Sequence, residues 1–212
     1  MAKIIMTQAQ QKTATLKTLS PEAQNMALEN VIRQFVSCLG QDPDSAELKN
    51  TPALMREAWQ FWISGYQMDP VKVLNAVPAL SKDGDDMIIV RDIPIYTHCE
   101  KYLTPIIGFA QIAYIPKKRS TELSNISRLV DVFARRLQSQ NGLTNQIADA
   151  LYEHLQPAGV GVVLNCQHMS MLSRGGRTIN ASTLTRGFRG NMKSERKLRD
   201  EFLSSISVNQ KI

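Results

Sequence analysis

Residues 106–115 read Ile-Ile-Gly-Phe-Ala-Gln-Ile-Ala-Tyr-Ile, and Pro116 follows. β-Branched and aromatic side chains fill this run, and a proline cannot donate to a strand ladder, so a strand ends at Ile115. From Ser124 the period changes: Ile126, Leu129, Val130, Phe133 and Leu137 fall on one helical stripe. A second helix follows from about Leu143 to Leu155. Val160 to Asn165 (VGVVLN) is again a strand, running on into Cys166-Gln167-His168. Upstream, the polar stretch 81–86 (SKDGDD) makes a turn, and Met87-Ile88-Ile89-Val90 makes a short apolar strand. A charged helix from about Lys193 to Ile206 closes the sequence. Helices and strands in this order give an α+β arrangement.

Towards the N-terminus the pattern is helical alone. Ser20-Pro21 supplies an N-cap and a proline for the first helical position. Ala23, Met26, Ala27, Val31, Ile32 and Phe35 follow at helical spacing, and Gly40 closes the segment. Thr51-Pro52 repeats the signal and leads through Leu54, Ala58, Phe61 and Trp62 to Gly65. The expected organisation is an N-terminal arm over 1–19, a helical lobe over 20–80 and an α+β domain over 81–212.

The 212 residues, 43% of them apolar, can bury one sizeable core, or one core with a small helical lobe. No apolar run approaches the roughly 20 residues of a membrane helix, so no membrane partner is expected. The first residues are rich in Gln and Thr and carry no secretory signal pattern. Cys38, Cys99 and Cys166 are an odd, unpaired set, which points to a reducing compartment, the cytoplasm. The net charge of +6, from 25 basic and 19 acidic residues, suits an anionic ligand. The densest basic stretches are Lys117-Lys118-Arg119 and residues 193–199. The second is interleaved with acidic residues as on a solvated helix face, so nucleic acid is not the expected partner.

Two clusters carry candidate chemistry. His98-Cys99 and Cys166-Gln167-His168 offer the side chains zinc prefers, on strands that could converge. The same cysteines equally suit small core positions, since no paired C-x-x-C or H-x-x-x-H is present. Ser124 and Arg128, four apart, share a helix face, and Arg174 and Arg177 flank two glycines in a loop. Together they suit a phosphate, or else Ser124 is an N-cap and the arginines are solvated.

Taken together, several segments resemble the GTP cyclohydrolase I family, from about Val31 to Ile206. They are Leu39-Gly40 with Asp42-Pro43, Thr51-Pro52 and Gly65-Tyr66; Cys99-Glu100 with Leu103, Pro105, Gly108 and 112–116; Leu123-Ser124 with 128–130; 135–138 with Gln140, Leu143-Thr144 and Gln146-Ile147; 157–162; and His168 with Met171 and Arg174-Gly175. The resemblance implies a tunnelling fold, an antiparallel sheet packed with helices whose sheets join into an oligomeric barrel, assembled as a homodecamer with sites between subunits. It implies opening of the GTP imidazole ring by a zinc-activated water, release of formate and formation of 7,8-dihydroneopterin triphosphate, in folate and pterin synthesis.

It also assigns positions. The family's zinc ligands fall at Cys99, Tyr102 and Ser170, so only the cysteine is kept, and Lys101 adds an adjacent cation. Tyr and Ser are poor zinc donors beside imidazole and thiolate, so no resident cofactor is expected, zinc being the alternative. A relocated Cys99–Cys166–His168 site competes with simple burial of Cys166. Lys101 is either a base for other chemistry or a solvated charge. Gln140-Asn141 stands where the family reads guanine with a Gln-Glu pair, and loss of the carboxylate costs on the order of 1.5–3 kcal/mol. Ser124, Arg128 and Arg174 match triphosphate contacts, His168 matches a residue near ribose and purine, and Leu54 and Asn125 replace an Arg and a Lys. The expectation is a protein that binds GTP or a related purine or pterin ligand with the zinc-dependent reaction lost or altered. The alternatives are an active GTP cyclohydrolase I with an atypical metal site, or a non-catalytic oligomeric scaffold.

Overall fold

The computed structural model describes residues 20–78, 86–173 and 181–207. The expected arm, nearly all of the turn at 81–86 and the loop carrying Arg174 and Arg177 lie outside the described residues. The chain divides into two units, Met1–Phe61 and Trp62–Ile212.

In the first unit, α1 (Pro21–Cys38) starts where the sequence signals it. Ser20 Oγ accepts from the Ala23 N–H at 3.3 Å, and Pro21 needs no donor partner there. Gly40, at φ +79°, follows the helix end. α2 (Thr51–Trp62) lies beside α1, joined by the Arg56–Glu29 ion pair at 2.6 Å and by Gln60 donating to Asn25 at 2.6 Å.

The second unit is built on a five-stranded sheet of order β5-β2-β3-β6-β7. Its strands are β2 (Ile88–Cys99), β3 (Pro105–Ile115), β5 (Leu137–Gln138), β6 (Gly159–His168) and β7 (Thr183–Gly190). All neighbours are antiparallel except β5 with β2. A separate two-stranded ribbon pairs β1 (Val77–Pro78) with β4 (Arg119–Ser120).

Alternation along the strands sends two apolar sets to opposite faces. On one face Ile95, Ile106, Ile112, Tyr114, Val162 and Leu164 pack beneath α4 (Leu123–Ala134) and α5 (Gln140–Leu155). α5 contributes Leu143, Ile147, Leu151 and Leu155 at four-residue spacing, and Ser139 caps its start by accepting from the Gly142 N–H at 3.2 Å. On the other face Ala113, Ile115 and Val163 meet Phe202 and Ile206 of α8 (Arg196–Ser207) and Met192 of α7 (Asn191–Ser194). The α+β class expected from the pattern is what the structure has.

Several elements differ from the sequence expectation. The strand from Met87 does not stop at Val90. Arg91 and Asp92 together face Gln111 in a bulge, and the strand resumes at Ile93 opposite Ala110. Asp92 takes φ +57°, its N–H donates to Gln111 Oε1 at 2.9 Å, and Gln111 Nε2 donates back to its carboxylate at 2.8 Å. Leu137 is not on the α4 stripe: the helix ends at Ala134, and Leu137–Gln138 pairs with His98 and Cys99 as a short strand. Gln138 Nε2 secures that exit by donating to the Phe133 carbonyl at 2.9 Å. The expected final helix is in two pieces, α7 and α8, and the short helix α3 (Pro70–Leu74) and strand β7 were not expected at all. Among the described residues no helix is long and apolar enough to cross a membrane.

Candidate active site

The β2–β3 hairpin closes tightly at Cys99. Its N–H donates to the Thr104 carbonyl and its carbonyl accepts from the Leu103 N–H, both at 2.8 Å, with Leu103 at φ +53°. The Glu100 N–H donates to the Gln138 carbonyl at 3.1 Å, which ties the turn to β5. Cys99 is half-buried against the helix-side core, whereas Lys101 and Tyr102 are exposed on the turn. In register, Thr97, Ile106 and His168 form one row across β2, β3 and β6. His168 therefore lies at the same end of the sheet as the Cys99 turn, two strands over, on the order of 10 Å in lateral spacing.

His98 does not join Cys99. Alternation turns it to the opposite face, where its ring stacks on Trp62 with centroids 4.4 Å apart, and burial lowers its pKa. Cys166 is a core residue, packed where β3 carries Gly108, and burial pushes its thiol pKa up to about 12. A thiol held protonated at neutral pH is a poor metal ligand. A Cβ on Gly108 would meet the Cys166 Cα at 2.6 Å and the Asn165 carbonyl at 2.1 Å, so only glycine fits opposite Cys166.

His168 Nε2 lies 2.8 Å from Gln140 Oε1. The Gln140 amide has no freedom to turn over: its Nε2 faces the carbonyls of Thr183 at 2.8 Å and Leu164 at 3.2 Å, and the Thr185 hydroxyl at 3.0 Å. Carbonyls accept only, so the NH₂ group must point to β6 and β7 and the oxygen to His168. A neutral ring must then carry its proton on Nε2, and Nδ1 keeps its lone pair. Burial lowers the His168 pKa below its usual 6.5, which favours that neutral form. The pair is thus a preset hydrogen-bond acceptor and weak base at the sheet end. Gln140 is buried with its amide committed inside the protein, so what it contacts in this structure is His168 and the strands.

The phosphate candidates sit on α4. Ser124, in its first turn, and Arg128, one turn on, are both exposed, and neither bonds to Gln140 or His168. Arg174 lies outside the described residues. Asn125, unlike Ser124 and Arg128, is buried. Its Nδ2 donates to the Leu74 carbonyl at 3.4 Å and to Thr121 Oγ1 at 3.2 Å, and Thr121 itself donates to the same carbonyl. Asn141, beside Gln140, is exposed and bonded to Asn145.

The family model for GTP cyclohydrolase I matches residues 28–207. The chain belongs to the GTP cyclohydrolase I family. It is similar to the GTP cyclohydrolase 1 of Janthinobacterium sp. (strain Marseille), 45% identical over 81% of this chain and 86% of that one. The GTP cyclohydrolase 1 of Nitrosospira multiformis is 42% identical over 81% and 90%, and that of Allorhizobium ampelinum 38% identical over 91% and 98%. The tunnelling fold expected from the sequence is the fold of this family member.

As a member of the GTP cyclohydrolase I family, the chain is expected to hold zinc, and its donors can be tested. Of Cys99, Tyr102 and Ser170, only Cys99 is a ligand zinc prefers, and Ser170 lies in the helical turn α6 (Met169–Leu172) that follows β6. Among the described residues no three His, Cys, Asp or Glu side chains gather. The residues present do not fit the family's three-ligand zinc, and no step is derived through it. What the sequence reading missed is the partner of His168. Gln140 was expected to contact the ligand, and its amide is held by β7, a strand whose polar, glycine-bearing pattern (TLTRGFRG) gave no strand signal.

Proposed function

We propose that this chain acts on GTP, as the names of its relatives state of them, at a site where His168 is the central proton-handling residue. The observation that carries this is the half-buried Gln140–His168 pair at 2.8 Å, within a chain that is 38–45% identical to proteins named GTP cyclohydrolase 1. Of the readings open from sequence, the comparisons support the active enzyme better than the one in which activity is lost. In the proposed role, Nδ1 of His168 accepts a proton or hydrogen bond from the ligand. An imidazole that burial holds neutral at pH 7 is suited to accepting that proton. Ser124, Arg128 and Arg174 are the proposed phosphate contacts. The metal arrangement, if the reaction uses one, is not the family's Cys–His–Cys set.

The second reading, a nucleotide- or pterin-binding protein without hydrolysis, is favoured by one feature: Tyr102 and Ser170 at the ligand positions, with Lys101 beside them. Incubation with GTP, with and without added zinc, followed by oxidation and measurement of neopterin fluorescence separates the two. Product supports the first reading. Thermal stabilisation by GTP without product supports the second.

Assembly into a homo-oligomer, a decamer in the proposed form, is supported by the sheet itself. Tyr96, Ile107, Phe109 and Leu184 are exposed on the face that α8 covers only in part. Tyr96 pairs with Ile107, and Phe109 and Leu184 flank Asn165, so the four make one patch. Three free cysteines suit the proposed cytoplasmic location.

A further inference from the structure

α3 with the residues just before it, and one side of α4 as far as Arg135, line a cleft of about 640 Å³. Its charged lining is Lys72, Arg128 and Arg135 against Asp69 and Asp131. Asp131 is neutralised by a partner, while Asp69 keeps its charge and is held by the backbone, so three positive side chains face two negative ones. Asp131 pairs with Arg135 at 2.9 Å, and Asp69 accepts from the Val71 N–H at 2.9 Å as the cap of α3. Lys72 and Arg128 are left, and among the described residues neither pairs with a carboxylate. They project from different elements into one concavity, which is the arrangement that holds a multiply charged anion rather than a single carboxylate.

The two walls are fastened together from behind. Leu74, the last residue of α3, is fully buried, and its carbonyl accepts from both Asn125 and Thr121. Asn125 lines the cleft, yet both its N–H bonds go to the protein, so it is a strut and not a ligand. That strut fixes the backbone from which Lys72 projects, opposite Arg128.

We infer that this cleft binds the polyphosphate of an anionic ligand and that Lys72, with Arg128, supplies its positive charge. The inference rests on the reading that the chain takes a nucleoside triphosphate, and it adds Lys72, which no sequence feature singled out. Lys72 is exposed, so replacing it leaves the packing untouched.

The test is calorimetric titration of the full-length protein with inorganic tripolyphosphate, for the wild type, Lys72→Ala, Lys72→Arg and Arg128→Ala, with GTP turnover read on the same preparations. The wild type is expected to bind, more weakly as salt rises. Lys72→Ala and Arg128→Ala should each lose on the order of tenfold in affinity, and Lys72→Arg should keep most of it. Unchanged binding in Lys72→Ala, or no binding by the wild type, overturns the inference. The function and the inference fail separately. Turnover of GTP with tripolyphosphate binding indifferent to Lys72 sinks only the cleft, and Lys72-dependent binding without turnover sinks only the enzyme.

Discussion

Among the described residues His168 is held by a single side-chain bond, and the bond's direction is set by groups that never touch the ring. Gln140→Ala removes that control and takes one donor from the strand carbonyls and from the Thr185 hydroxyl, which keeps its 2.7 Å contact with Thr144. It should cost about 1–3 kcal/mol in denaturant unfolding and release the Nε2–H preference seen in ¹⁵N chemical shifts of the ring. A ring whose tautomer is unchanged in Gln140→Ala would contradict the assignment. The histidines also set a pH dependence. Burial lowers the pKa of both His98 and His168 below the 6.5 of an unfolded chain. Below 6.5 the unfolded state therefore binds more protons than the native state, and stability falls as pH drops from 6.5 towards the folded values. Denaturant midpoints measured between pH 7.5 and 5.5 should decline, and His168→Gln should flatten part of the decline. Cys38 is exposed and Cys166 buried, so a thiol reagent at pH 8 should label the first in the native protein and the second only on unfolding. Zinc affords a further check: Tyr102→His with Ser170→Cys supplies the donors the site lacks, and metal analysis should then find zinc retained. At this scale the sequence offered candidate residues but not their partners. Cys166 was legible as either ligand or core, and only its place against Gly108 decides for core.

Among the elements, the β3–β6 seam is the most constrained. Gly108→Ala would drive a methyl into the Asn165 carbonyl and Cys166, prising the strands apart at the His168 end. The expected loss is roughly 1–3 kcal/mol in stability, with weaker ligand binding at the same time. Unchanged stability would mean that the strands can part at no cost. Gly65 has the same character, since its Cβ would meet the Val132 carbonyl at 2.2 Å. β3, α4, α5 and β6 were legible because their apolar periods are clean. β2 was read too short because its bulge breaks the alternation at Arg91-Asp92, and a strand that changes face in mid-course cancels its own period. β5 was absorbed into the α4 stripe because Leu137 falls on it by spacing. Only tertiary pairing with His98 and Cys99 pulls it away. α3 is a five-residue helix that owes its place to Asp69 and to the buried Leu74, too short for a period to register.

For the whole molecule, the family was legible because ordered matches are spread along most of the chain, and residues 28–207 fit its model. Activity was not legible in the same way: two of the three ligand positions, Tyr102 and Ser170, point one way and the rest of the chain the other. The exposed patch of Tyr96, Ile107, Phe109 and Leu184 calls for assembly, and the mass in solution should be that of a closed oligomer, with Ile107→Asp shifting it towards smaller species. The most direct measurement of the central claim is GTP turnover by the purified full-length protein, read as neopterin fluorescence after oxidation, with metal supplied and with metal chelated, for wild type and His168→Ala. The account predicts product from GTP and a loss of on the order of 10²–10⁴-fold in His168→Ala. A folded protein that yields no product under either condition, or a His168→Ala variant as fast as wild type, would contradict it.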